Sequence, residues 1–415
     1  MAARRMTDSC TGVRIRKGRS KLKSNRNVIL AAVVLALIAT VWVREAKMDA
    51  STGTQTVQAP SFEVDPLWPQ PLPNHWLLGS AVGVGVDSRD HVFVIHRQAS
   101  FNERTEIGAA TDPPTGSCCI PAPNILEFDP EGNLVNAWGG PGEGYDWPTS
   151  NHGLSLDGKD NIWIGGNGAL DSHILKFSRD GQFLMQVGQA QVAVDSHAAD
   201  HFGRVAKISF DDEANEAYVA DGYGNKRVAV IDMDTGELKR YWGAYGNEPS
   251  DENLGPYDPT APLAQQFRNP VHCADPSNDG LIYVCDRPND RIQVFRPDGT
   301  FVDEVIIAPE TLGDGSTWDI AFSRDPEQRF MYVADGKNMK VYVMLRESLE
   351  ILTSFGDGGR QPGQFFAVHS IATDSKGNIY TTETYEGKRV QKFVYTGMAP
   401  VTDLDQGTVW PGRGN

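Results

Sequence analysis

The chain has 415 residues and a formal net charge of −16, unevenly placed: residues 1–26 hold nine Lys and Arg against Asp8, a net +8, so the remainder carries −24. An acidic body of that kind repels phosphate backbones and argues against nucleic acid as a partner. The 42 Gly and 25 Pro are scattered rather than clustered, which speaks for many turns and short strands and against disorder.

The first element is the basic stretch 1–26, followed by residues 28–43, apolar apart from Thr40, with Trp42 near the far end and Arg44 closing the run. A spanning helix needs about 20 apolar residues and a signal h-region about 7–15, so this segment falls between the two. No small-x-small cleavage site follows it, which favours an uncleaved signal anchor over 27–44, a single hydrophobic helix. The basic flank then stays in the cytoplasm and the bulk of the chain is exported, periplasmic or extracellular. Residues 45–60 read as a linker and 397–415 as a C-terminal tail.

Between them, over 61–396, one unit recurs six times: a short apolar strand, a polar turn, a β-branched or aromatic strand, a loop, a third strand, a tight turn and a fourth. The first turns are Asp-Ser-Arg-Asp (87–90), Asp-Gly-Lys-Asp (157–160), Pro-Ser-Asn-Asp-Gly (276–280) and Asp-Ser-Lys-Gly-Asn (374–378). They place Gly, Asn or Asp where a hairpin turn needs a positive φ. The second strands align as His-Val-Phe-Val-Ile (91–95), Ile-Trp-Ile (162–164), Ala-Tyr-Val-Ala (217–220), Ile-Tyr-Val-Cys (282–285), Met-Tyr-Val-Ala (331–334) and Ile-Tyr-Thr-Thr (379–382). Four antiparallel strands repeated radially predict an all-β, six-bladed β-propeller, a monomeric ring without exposed sheet edges. The sixth unit has three good strands, and Phe62-Glu63-Val64 is the expected fourth that closes the ring.

Alignment of the units places Val82, His152, Ala206, His272, Trp318 and His369 at the position that opens each innermost strand. A single pore histidine is usually a hydrogen-bonded polar residue. Three of the chain's nine histidines, in strictly alternating units, are related by three-fold rotation and should point at one spot on the axis. That is the arrangement of a catalytic zinc site, three nitrogens and an open position, although iron, copper and nickel also accept imidazoles. Arg97 and Arg287 follow second strands and so lie at one mouth of the pore, where a guanidinium suits a carboxylate-bearing ligand. Tyr223, in Asp-Gly-Tyr-Gly-Asn, lies at the same mouth, while Asp221, Asp286 and Asp335 should tie down their own loops.

The turns and strands Gly-Asn-Ile-Tyr (377–380), Val-Ala-Asp-Gly-Tyr-Gly-Asn (219–225) and Arg-Ile-Gln-Val-Phe (291–295) resemble NHL-repeat propellers. The segments Asn-His-Gly-Leu-Ser-Leu-Asp (151–157), Pro-Val-His-Cys-Ala (270–274), Val-His-Ser-Ile-Ala (368–372), Val-Ile-His-Arg (94–97) and Ala-Asp-Gly-Tyr-Gly-Asn-Lys-Arg-Val (220–228) are more specific. With Val-Cys-Asp-Arg-Pro-Asn-Asp-Arg (284–291), they resemble the peptidyl-α-hydroxyglycine α-amidating lyase family. The resemblance implies zinc on His152, His272 and His369, Tyr223 as catalytic base, and Arg97 and Arg287 as substrate-holding groups. It also implies cleavage of a carbinolamide-type small-molecule or peptide substrate to an amide and glyoxylate. A structural calcium in that family uses an aspartate directly after the third histidine; Ser370 stands there, so a weakened site or none is expected.

The competing class is a non-catalytic exported NHL propeller that binds a protein or glycan. A lactonase-like propeller would need a Glu/Asn/Asp constellation in the pore, where histidines stand instead. Of the five cysteines, Cys273 and Cys285 lie on neighbouring strands, either bridged or as two buried thiols, with Cys273 facing away from His272. Cys118 and Cys119 lie in the long loop 98–120.

Overall fold

The computed structural model describes residues 57–412. The basic stretch and the expected hydrophobic helix over 27–44 lie outside the described residues. Within them, six four-stranded antiparallel sheets follow one another, accompanied by a minor two-stranded pairing of Trp76–Leu77 with Ile120–Pro121. The innermost strands of the six blades are Ser80–Val86, Asn151–Leu156, Lys207–Asp211, Val271–Pro276, Asp319–Phe322 and Val368–Thr373. Each packs against the innermost strand of the next blade, and the last against the first, so the sheets form a ring.

Ring closure is as the sequence predicts. Gln58–Asp65 pairs antiparallel with Arg389–Pro400, with Phe62 opposite Tyr395 and Val64 opposite Phe393, and so becomes the outermost strand of blade six. Residues from both ends of the described chain therefore share one sheet. The C-terminal segment adds backbone hydrogen bonds from Ser354 and Gly356 to Leu404 and Gly407, and from Val64 to Val409.

The second strands form the core for a simple reason: their aligned aromatic residue faces the neighbouring blade. Phe93, Trp163, Tyr218, Tyr283, Tyr332 and Tyr380 all occupy this register and all are buried. Each buries roughly 150–250 Å². The turns behave as their composition demands. Asp87, Asp157 and Asp374 each accept two backbone N–H bonds from their own turn. Asp90, Asp160, Gly280 and Gly377 take the left-handed conformation that closes it. Asp90 and Asp160 also reach across blades, each accepting from a backbone N–H and a hydroxyl, of Ser375 and Ser88 respectively.

At the opposite face, an acid ends the second strand and an arginine opens the third. Asp221 pairs with Arg227, Asp286 with Arg291 and Glu383 with Arg389, all at 2.8 Å. Asp335 instead accepts from the backbone of Lys337 and Asn338. All three aspartates named from sequence thus fasten their own loops.

Candidate metal centre

The innermost strands of blades one, two, four and six each contain a β-bulge at the same place, next to the aligned ring position. In blades four and six the extra residue is the histidine itself, His272 or His369, while in blade two it is Gly153, just after His152. A bulge re-aims a side chain without ending the sheet. Here it turns the imidazoles toward the axis. Gly153 has φ +56°, and a Cβ there would collide with the Ala206 carbonyl, so glycine is required.

The three rings are almost equidistant, with centroids 5.2, 4.7 and 4.9 Å apart, and one ligand atom from each lies within 4.8 Å of the others. Cys273, one residue beyond His272, is engaged elsewhere: it is bridged to Cys285. Of the two alternatives read from the sequence, the structure therefore has the disulfide. Cys118 and Cys119 are bridged as a vicinal pair in the long loop. That loop contains two short helical turns, Gln98–Ser100 and Ile107–Ala110, and is tied to blade six by an ion pair between Glu106 and Lys388.

Each imidazole is held from behind. His152 Nδ1–H donates to the Ala206 carbonyl at 2.8 Å, and His272 Nδ1–H donates to the Trp318 carbonyl. His369 Nδ1–H donates to Ser370 Oγ at 3.0 Å, and that hydroxyl donates in turn to the Val82 carbonyl at 3.2 Å. A carbonyl accepts only, so Nδ1 carries the proton and Nε2 presents its lone pair to the channel. Burial holds all three histidines well below their ordinary pKa, helped by the charge of Arg287, by that of Arg97 for His152 and His369, and, for His272 and His369, by the neighbouring imidazoles. Three neutral imidazoles with fixed tautomers and converging Nε2 atoms are a donor set that fits a divalent metal ion.

The other sequence-predicted residues gather around this triplet. The Tyr223 hydroxyl is 3.0 Å from His152 Nε2 and 3.1 Å from His272 Nε2, and it accepts from Arg287 Nη1 at 3.2 Å. Arg287 stacks over the Trp318 indole, 4.3 Å from its centroid, and its Nε has no partner among the described residues. Arg97 donates to the Asn151 carbonyl, next to His152, and to Asn167 Oδ1. His96 pins the strand that presents Arg97: its Nδ1 accepts from Gly79 N–H and its Nε2–H donates to the Pro123 carbonyl.

Residues that sequence reasoning did not assign complete the mouth. Trp318 lies between His272 and His369, with ring centroids 6.1 and 5.6 Å away. Tyr385 faces Trp318 and donates to Asp314 Oδ2, which Lys337 also approaches at 3.2 Å. Trp318 stood at the aligned ring position, a bulky residue where blades one and three have Val82 and Ala206. Tyr385 and Asp314 left no signal, since both sit in loops of variable length. A groove of about 260 Å³ runs outward from Arg287 between Tyr257, Arg268 and Asp314.

The calcium arrangement implied by the family resemblance does not fit. Ser370 supplies no carboxylate, and its hydroxyl is already engaged by His369 and Val82.

No family model matches the chain. Peptidylglycine alpha-amidating monooxygenase of Rattus norvegicus is 26% identical over 337 residues, 78% of this chain and 31% of that protein. NHL repeat-containing protein 3 of Mus musculus is 24% identical over 358 residues, 81% of this chain and 85% of that protein. The chain is an NHL-like propeller that resembles the amidating family. It spans about a third of the length of its amidating relatives. Among solved structures, a streptogramin B lyase superposes over 81% of this chain and 98% of its own, at 12% identity and a TM-score of 0.48.

Proposed function

We propose that this protein is a metal-dependent, lyase-like propeller enzyme. Its substrate would be a carbinolamide of the α-hydroxyglycine type, cleaved to an amide and glyoxylate. One observation carries the reading: three orienting-bonded imidazoles, a phenol and a guanidinium converge within hydrogen-bonding range on one end of the pore. Structural histidines have no reason to share a tautomer and an aim.

In this reading His152, His272 and His369 hold the metal, with zinc as the default for neutral imidazoles. The metal, when bound, supplies Lewis-acid polarisation of the substrate's hydroxyl or carboxylate oxygen. Tyr223, as the phenolate, takes the hydroxyl proton as the C–N bond breaks, leaving an aldehyde carbon, and passes that proton to the departing nitrogen, which becomes the amide. Arg97 and Arg287 hold the substrate carboxylate, and Arg287 N–H keeps the phenolic oxygen of Tyr223 in place. The groove beyond Arg287 offers room for the remainder of a peptide or small amide. The chain is placed in the membrane by residues 27–44, with the propeller exported.

Glyoxylate release from α-hydroxyglycine compounds, with metal analysis of the purified protein, tests the reading directly. Tyr223→Phe should retain the metal and lose turnover by ~10²–10⁴-fold, the usual contribution of a general base. Full activity in that variant would remove Tyr223 from the mechanism.

A second reading is favoured by the near full-length match to NHL repeat-containing protein 3. It is an exported propeller that binds a protein or glycan on its mouth without catalysis. It requires a metal-free pore and indifference to changes at His272, so the same metal analysis separates the two.

A further inference from the structure

Beyond the imidazoles, the channel holds a second polar cluster that the proposed chemistry does not use. Asp275, Asp319 and the sulfur of Cys273 lie close enough to one another to hold an ion. The sulfur is committed to the disulfide with Cys285. Between the two carboxylates stands the ammonium of Lys207, 2.8 Å from Asp275 Oδ1 and 2.6 Å from Asp319 Oδ1. Its third contact is the Ile320 carbonyl at 3.4 Å. An ammonium has three donors, and all three are used.

The cluster spans several blades. Lys207 comes from the innermost strand of blade three, Asp275 from blade four and Asp319 from blade five. Asp319 Oδ2 accepts the Ile371 N–H of blade six, and Ser209 Oγ donates to Asp275. The side chains of Lys207 and Asp319 are only 16% and 3% exposed. Two carboxylates facing each other across a narrow channel repel unless a cation separates them.

We propose that the Lys207 ammonium is the built-in structural cation of this channel, so that the propeller is braced from blade three to blade six without calcium. The charge is secure there: burial alone would lower the Lys207 pKa, but Asp275 and Asp319 together raise it above its ordinary value. The arrangement agrees with Ser370, which lacks the carboxylate a calcium would need on the blade-six side.

The test uses the full-length protein. Melting after EGTA dialysis and again in millimolar calcium should give the same Tm for wild type, with no calcium in elemental analysis. Lys207→Ala should melt lower by roughly 5–10 °C, the consequence of leaving buried charge uncompensated. It should also recover part of that loss in millimolar calcium, because the vacated carboxylates then accept a divalent ion; a residue that merely packs would show no such rescue. Calcium-dependent melting of wild type, an unchanged Tm in Lys207→Ala, or failure of calcium to rescue that variant each overturns the proposal. The wild-type arm stands even if the variant does not fold. None of these outcomes depends on turnover, so failure of the lyase reading is distinguishable from failure of this one.

Discussion

Even and odd blades of this ring do different work. Blades two, four and six present His152, His272 and His369 to the axis. The aligned residues of blades three and five, Ala206 and Trp318, present backbone carbonyls that fix His152 and His272. Blade one contributes the Val82 carbonyl, which reaches His369 only through the Ser370 hydroxyl. The alternation teaches how a six-fold repeat makes a three-fold site. Half of the repeats carry the ligand side chain, and the other half supply the main-chain acceptors that orient it.

The comparison breaks most severely if an even-blade ligand is removed. His272→Ala leaves two imidazoles, too few for a closed facial set, and should purify without metal and with turnover at background. Elemental analysis and glyoxylate release measure this. Tight metal binding by this variant would dissociate the metal from the triplet. Odd blades resist the same approach, because a carbonyl cannot be deleted by substitution. The exception is the blade-one contact, which reaches His369 through a side chain, that of Ser370 in blade six. Ser370→Ala removes the hydroxyl between His369 and Val82, freeing the ring to turn. Loss of an orienting hydrogen bond of this kind costs about 10–100-fold in metal affinity. A competition titration with a chelator reads that change, and an affinity equal to wild type would mean that packing alone orients His369.

Much of this was legible in the sequence. The second-strand aromatics and the Asp-initiated turns are local signals, and they set the blade period. Once the period is known, His152, His272 and His369 fall into register by counting. Phe62–Val64 is recoverable because blade six visibly lacks a strand. What counting could not supply are contacts between blades. Ser370 reads as an ordinary strand serine, and its bridge to Val82 joins residues 288 positions apart. Lys207 reads as a charged residue at a strand start, and only the ring places it between Asp275 and Asp319. The bulges were equally hidden, because strands of only six or seven residues are too short for one extra residue to show as a break in alternation. The Cys273–Cys285 bridge was undecidable for a different reason: adjacent strands bring two cysteines together whether or not they are oxidised.

The smallest expected effect concerns how blade one holds Arg97, and it is read from pH rather than from substitution alone. Burial lowers the His96 pKa to about 4 from an ordinary 6.5, outweighing its backbone hydrogen bonds. A protonated Nδ1 could no longer accept the Gly79 N–H, so the folded state keeps the ring neutral. The unfolded chain binds a proton there below about pH 6.5 and the folded protein only near 4, so protons favour unfolding within that window. The His96 contribution is therefore complete above pH 6.5 and is lost as pH falls toward 4. At 1.36 kcal/mol per unit it amounts to about 3 kcal/mol at most. Urea unfolding of the metal-free protein at several pH values between 7 and 4 measures the slope, and metal-free protein is required so that acid release of the metal does not add to it. His96→Gln should be less stable at pH 7 and should lose part of the slope over the same range. A slope unchanged by the substitution would assign the acid sensitivity to groups other than His96, and would leave the anchoring of Arg97 independent of it.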